Sequence, residues 1–182
     1  LEGFLIGILV FVASAASVLS LHYTARDAQV GSIRSRLERL ATEAAGLIDA
    51  EAHRAIRHAD QLDSPEYRRA ISRLVSLHER ERDLLHVYSY VLHEGALCYV
   101  LDTHTQGDPK AGRTFLQPAR PMDPVAPADS ARLRPVEAGG ASSTPAPAET
   151  TSGVLMSGFA PIMTPDGQAI GVAGVDLDVE QF

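Results

Sequence analysis

Apolar and polar positions change period along this chain, and each change predicts a different element. Gly3 to Leu21 is uncharged and almost wholly apolar; as a helix rising about 1.5 Å per residue it nearly spans a hydrocarbon layer of about 30 Å. From Thr24 to Asp60 there is no proline, and Val30, Ile33, Leu37, Leu40, Ala44 and Leu47 recur at intervals of three and four, the stripe of a long, coiled-coil-like helix. Beyond Leu47 the stripe drifts to Ile48, Ala52, Ala55 or Ile56, and Ala59, a handover from coiled coil to domain core or the continuation of an ordinary amphipathic helix. Ser64-Pro65-Glu66 opens a second helix with an N-cap, a proline at the first helical position and an acid in the first turn. Its face carries Tyr67, Ile71, Leu74 and His78, and the Glu79-Arg80-Glu81-Arg82 run reads as its solvated end.

After Asp83 the period shortens. His86–Leu92 and Ala96–Thr103, rich in Val, Leu and Tyr, flank Glu94-Gly95, which predicts a tight hairpin. Val154–Met163 and Gln168–Leu177 flank Thr164-Pro165-Asp166-Gly167, which predicts a second. Apolar residues fall on both faces of these strands, so both faces of the sheet need cover. The long helix supplies one cover, and the segment between the hairpins the other. That segment, 105–152, is interrupted by eight prolines. It reads as loop with a short helix over Asp129–Val136 and an edge strand over Ser142–Thr150, or as a disordered Ala/Pro/Ser linker.

The C-terminal strands, S-G-F-A-P-I, a P-D-G turn and I-G-V-A-G-V-D-L-D, resemble the closing strands of Cache-type sensor domains, the extracytoplasmic PAS-like modules of bacterial receptors. The resemblance implies an α+β fold in which the long helix packs on a five-stranded antiparallel sheet. The corresponding organisation is a transmembrane helix over 1–22, a connecting helix over 23–62 and one sensor domain over 63–182. The resemblance also implies an inner-membrane protein with this domain outside the cytoplasm, a small ligand on the outer face of the sheet, and signalling through the flanking helices. It does not extend to amino-acid sensing, because tryptophan and an R-x-W-Y signature are both missing.

Composition narrows the alternatives. The net charge of −7 is concentrated in 83–182, with 5 basic against 12 acidic residues, which argues against nucleic acid as a partner. Cys98 is the single cysteine, so neither an intrachain disulfide nor a cysteine zinc site can form. The seven histidines show no H-x-x-x-H pair, Ser157 lacks the glycine two residues before it that a nucleophile elbow needs, and no glycine-rich loop precedes Lys-Ser/Thr. No cofactor, metal or catalytic group is expected.

Candidate ligand contacts are Tyr88 and Tyr90 on one strand face, Tyr99 on the neighbouring strand, Asp102 and Asp176 at strand ends, and Arg113 in G-R-T-F as a cation for a carboxylate. Each tyrosine reads equally as a half-buried core aromatic, and Arg113 as a surface arginine. Similar sensors direct an acid near the last strand end at a ligand amine. Asp176 takes that role by resemblance, since Asp178, with Gln181 three residues on, already caps the next helix; backbone donors at the strand end are its alternative partners.

Three readings of function stand at this level. A ligand-sensing input module of a receptor such as a histidine kinase, a diguanylate or adenylate cyclase or a chemoreceptor comes first. A ligand-free dimerisation module coupling a periplasmic partner to the membrane is second, and a secreted enzyme third. The stripe through Val30, Ile33, Leu37 and Leu40 predicts a parallel homodimer. Ala13-Ser14-Ala15 also satisfies a signal-peptide cleavage rule, so 1–21 is an anchor or a leader. A start on Leu1 and an end at an incipient helix mark the sequence as an excerpt of a longer protein.

Overall fold

A computed structural model describes residues 2–104, 119–126, 136, 139–150 and 153–180. The chain is α+β and falls into two compact units, Leu1–Ile33 and Arg34–Phe182. Helix α1 runs over Glu2–Leu47. Its first part is the one helix among the described residues long and apolar enough to cross a membrane, with Phe4, Leu9, Phe11, Val18 and Leu19 all exposed. Two of its hydroxyls bond within the helix: Ser17 Oγ donates to the Ala13 carbonyl at 2.8 Å and Thr24 Oγ1 to that of Ser20 at 2.9 Å.

The second unit is an antiparallel sheet backed by helices. The single helix expected to reach Asp60 stops at Leu47. Asp49 then caps a new short helix, α2 (Ala50–Ala55), its Oδ1 accepting from the Ala52 amide at 2.9 Å. A 3-10 turn follows over Ala59–Asp63, with Gln61 Oε1 accepting from the amides of Arg57 and His58. The drift of the stripe past Leu47 is therefore a break. It lets Ile48, Ala52 and Ile56 all enter the core. Helix α3 (Pro65–Arg80) begins as the Ser-Pro-Glu signal predicts, Ser64 Oγ accepting from the Tyr67 amide at 3.1 Å. It buries Tyr67, Ala70, Leu74 and Leu77. The charge run at its end is not merely solvated: Arg36 of α1 reaches Glu81 at 3.3 Å and Asp83 at 3.0 Å, and Arg80 pairs with Glu43. These pairs are partly exposed and orient α3 more than they stabilise it.

Six strands follow: β1 (Leu84–His93), β2 (Ala96–Asp102), β3 (Ser142–Ser143), β4 (Ala148–Thr150), β5 (Gly153–Met163) and β6 (Ala169–Asp178). Their order is β2-β1-β6-β5-β3, with β4 also on β5. Both predicted hairpins form. Glu94 and Gly95 take φ of 50° and 81°, the paired positive angles of a type I′ turn, and Gly167 takes 83° in the second turn. The edge segment 142–150 pairs with β5 as two short pieces interrupted between Ser143 and Ala148, where Pro145 and Pro147 bring no N–H. Thr144 bridges the first piece, its Oγ1 accepting from the Ser157 amide and its own amide donating to the Ser157 carbonyl. The short helix expected over Asp129–Val136 lies, but for Val136, outside the described residues.

Helices cover one face of the sheet, and α1 comes very close to it at Gly158. A Cβ there would lie 2.5 Å from the Leu37 carbonyl oxygen, so glycine is what lets α1 lie against β5. Leu37 and Leu40 are 0% and 7% exposed within this chain. These two positions of the stripe are thus already covered within a single chain.

Candidate functional site

On the outer face the alternation of β1 and β6 assembles an aromatic cluster around one carboxylate. Tyr88 pairs with Gly174 and Tyr90 with Val172, while Asp176 sits opposite His86 on β1 and Ser157 on β5. The Tyr88 hydroxyl donates to Asp176 Oδ1 at 2.8 Å, and His86 Nδ1 lies 3.7 Å from Oδ2. Tyr90 lies 4.9 Å from Tyr88 and 4.7 Å from Tyr99 between ring centroids. Phe159, Val125 and Val136 close over them, with Leu97 and Val172 at the margin. Val125 is placed by a strand-like strap along β2, in which the Val125 amide donates to the Leu97 carbonyl and that of Met122 to Tyr99.

The electrostatics follow from burial. Tyr88 is held far above the ordinary phenol range by burial first and by the Asp176 charge second. Tyr90 is raised by burial and by Tyr99. Both therefore stay protonated donors at any physiological pH, and the charge of the site is carried by Asp176. Among the described residues no group of three His, Cys, Asp or Glu side chains is arranged to hold a metal ion.

Gly174 makes room for this arrangement. A Cβ there would lie 2.0 Å from the Tyr88 ring, so Gly174→Ala must swing the ring aside and break its bond to Asp176. The expected cost is about 1–3 kcal/mol in denaturant melts, the usual range for overpacking, with the additional loss of any ligand response. A variant as stable as the parent would mean that the ring does not rest on Gly174.

The structure brings Asp176, Tyr88, Tyr90 and Tyr99 together. Asp102 lies opposite Tyr88 in the β1–β2 register, but its Oδ1 accepts from the His104 amide at 2.8 Å and its Oδ2 from the Ala119 amide at 3.0 Å; both oxygens thus tie down backbone. Arg113 lies outside the described residues. Asp178 ends β6, its Oδ1 accepting from the Glu180 amide at 3.0 Å in a local turn. Sequence reasoning passed over His86 and Phe159. His86 was legible, since it precedes Tyr88 and Tyr90 at the same two-residue interval. A separate open cleft of about 550 Å³ lies at the α1–α2 corner, beside the 3.0 Å pair of Arg69 with Asp49, and contains none of the predicted residues.

No family model and no curated protein matches this sequence. Among solved structures it is similar to the ligand-binding domain of the Campylobacter jejuni chemoreceptor Tlp3, determined with 4-methylisoleucine, at a TM-score of 0.48 and 17% identity over 86% of this chain and 53% of that one. It is also similar to an extracellular domain described as that of a histidine kinase, mmHK1S-Z2, at a TM-score of 0.43 and 16% identity over 88% of this chain and 62% of that one. The chain thus spans about half to three-fifths of those two structures.

Proposed function

We propose that this chain is the extracytoplasmic input module of a membrane-bound signalling receptor, and that it captures a small cationic ligand at Asp176 on the outer face of its sheet. The observation that carries the reading is the placement of a carboxylate, its side chain 13% exposed, at the edge of a tyrosine cluster. Aromatic faces and an adjacent carboxylate together favour an ammonium group over a neutral or anionic one. The continuous helix α1 is the element through which occupancy would reach the membrane, and a parallel homodimer would draw on α1 before Leu37.

A screen of ammonium salts tests the assignment. Benzylamine and benzyltrimethylammonium should raise the melting temperature of the full chain in detergent micelles, since a ligand that binds only the folded state stabilises it by mass action. Asp176→Asn keeps an oxygen for the Tyr88 hydroxyl, so the unliganded melting temperature should stay within about 2 °C, a shift corresponding to about 0.5–1 kcal/mol, while the ligand-induced rise disappears. A large loss of unliganded stability with the ligand response intact would make Asp176 structural.

One observation favours a second reading. Tyr88, Tyr90 and Phe159 are 6%, 4% and 4% exposed, so the outer face is already filled by the chain's own aromatics. A ligand-free structural module coupling a partner protein to the membrane has such a face, and it predicts no thermal response to any small molecule.

A further inference from the structure

Asp176 has a neighbour that the ligand-binding reading does not use. His86 lies directly across the β1–β6 ladder from it. The imidazole Nδ1 stands 3.7 Å from Asp176 Oδ2, with the two side chains 19% and 13% exposed. That separation exceeds a hydrogen bond but is close enough for strong charge coupling. The other oxygen, Oδ1, is already held by the Tyr88 hydroxyl at 2.8 Å. Oδ2 is therefore the atom for which a bound cation and a protonated His86 must compete.

We infer that His86 is a proton-operated gate on this site: its protonation pairs the imidazolium with Asp176 and withdraws that carboxylate from a cationic ligand. The inference rests on the reading of Asp176 as an ammonium acceptor. Other titratable groups border His86 among the described residues. Asp176 faces it from β6, and His104, beyond the end of β2, meets it ring edge to ring face at 5.1 Å between centroids. Tyr88, on the same face of β1, donates to the same carboxylate. The Asp102 carboxylate, beside His104, is occupied by the amides of His104 and Ala119. A proton on His104 acts in the same sense as one on His86, repelling a cation, but among the described residues it is His86 that lies against the carboxylate.

The sign is fixed by this arrangement. Above the histidine range His86 is neutral and Asp176 carries an uncompensated charge toward the ligand. Below it the site holds its own counter-ion. Competition by one proton weakens a permanently cationic ligand by at most about tenfold per pH unit as the pH falls through the titration of His86. A module of this kind reports its ligand in neutral surroundings and falls silent as they acidify.

The test uses the full chain in detergent micelles and two readouts. Benzyltrimethylammonium, cationic at every pH, is titrated at pH 7.5 and 5.5; the parent should lose several-fold in affinity, one proton giving at most about tenfold per pH unit, and His86→Gln should lose clearly less than the parent, keeping only the part due to His104. Binding that Asp176→Asn abolishes but that is indifferent to pH in the parent overturns the gate and leaves the ligand site standing. Independently, histidine side-chain NMR follows the titration of His86, identified by the signal lost in His86→Gln. In Asp176→Asn its midpoint should move to lower pH, because the carboxylate that favours imidazolium is gone. An unmoved midpoint overturns the pair, whatever the ammonium salt does. If neither benzylamine nor benzyltrimethylammonium binds, the ammonium reading of Asp176 fails, and a lowered midpoint still upholds the His86–Asp176 pairing.

Discussion

Gly158→Val is expected to cost the domain about 3 kcal/mol or more, the upper end of overpacking effects. The added Cβ would meet the Leu37 carbonyl oxygen, carbonyl carbon and Cβ at 2.5, 2.7 and 2.8 Å. Two of these are backbone atoms in the middle of α1, so no rotamer change relieves the contact and the helix itself must lift from β5. That movement also exposes Leu37 and Ala41, both fully buried. Gly140→Ala is the control, since nothing lies within 4 Å of a Cβ built there, and its effect should fall within about 0.5 kcal/mol. Denaturant melts in detergent decide the matter. A Gly158→Val variant within about 1 kcal/mol of the parent, well below the upper range of overpacking, would show that α1 is not seated on the sheet at this point.

Acidification should destabilise the fold through His53. This imidazole is fully buried between α2 and the sheet, its Nε2 3.0 Å from Ser89 Oγ and its Nδ1 without a partner. Burial, with a smaller contribution from the Arg57 charge, depresses its pKa from 6.5 to about 4. In the unfolded chain the same group takes up a proton near pH 6.5, whereas the folded core accepts it only near pH 4. The unfolded state therefore binds more protons in this interval, and stability is full above pH 6.5 and falls as pH drops toward 4. At 1.36 kcal/mol per pH unit the loss from pH 7.5 to pH 4 is about 3 kcal/mol. His53→Leu removes the titrating group while Ser89 Oγ still accepts the Leu101 amide at 3.1 Å. Relative to the parent, the variant should gain about 3 kcal/mol over that interval, the linkage term alone. A constant difference between the two across pH 7.5 to 4 would mean that water or a counter-charge reaches the ring.

The two histidines respond to acid by different routes. His53 lies beneath the sheet and has no acid as a neighbour, so its proton uptake weakens the fold. His86 lies on the outer face against Asp176, so its proton uptake makes a pair in place of a ligand contact. The first effect appears in unliganded melts of His53 variants and the second in binding by His86 variants, which keeps the two separable by experiment.

Local chemistry alone determined much of this molecule. The hairpins were legible because Glu94-Gly95 and Pro165-Asp166-Gly167 leave the backbone few alternatives, and the start of α3 because Ser64-Pro65-Glu66 satisfies a helix end with its own side chains. The apolar span was legible from Gly3 to Leu21, and the alternation of β1 and β6 placed Tyr88, Tyr90 and Asp176 each on a defined strand face. Tertiary structure decided what those faces meet. The stripe of Val30, Ile33, Leu37 and Leu40 has the period of a coiled coil, but the same period serves a helix on a sheet, and only the close approach at Gly158 shows that Leu37 is used in the second way. The helix break after Leu47 turned on Asp49, which caps as readily as it sits exposed on a helix. Asp102 and Asp176 look alike in sequence, each an acid ending a strand. Long-range register separates them: Asp102 meets the amides of His104 and Ala119, whereas Asp176 meets the hydroxyl of Tyr88 and the imidazole of His86 from a strand almost ninety residues away. Strand propensity fixes which side of a sheet a residue occupies, and pairing across the chain fixes its partners.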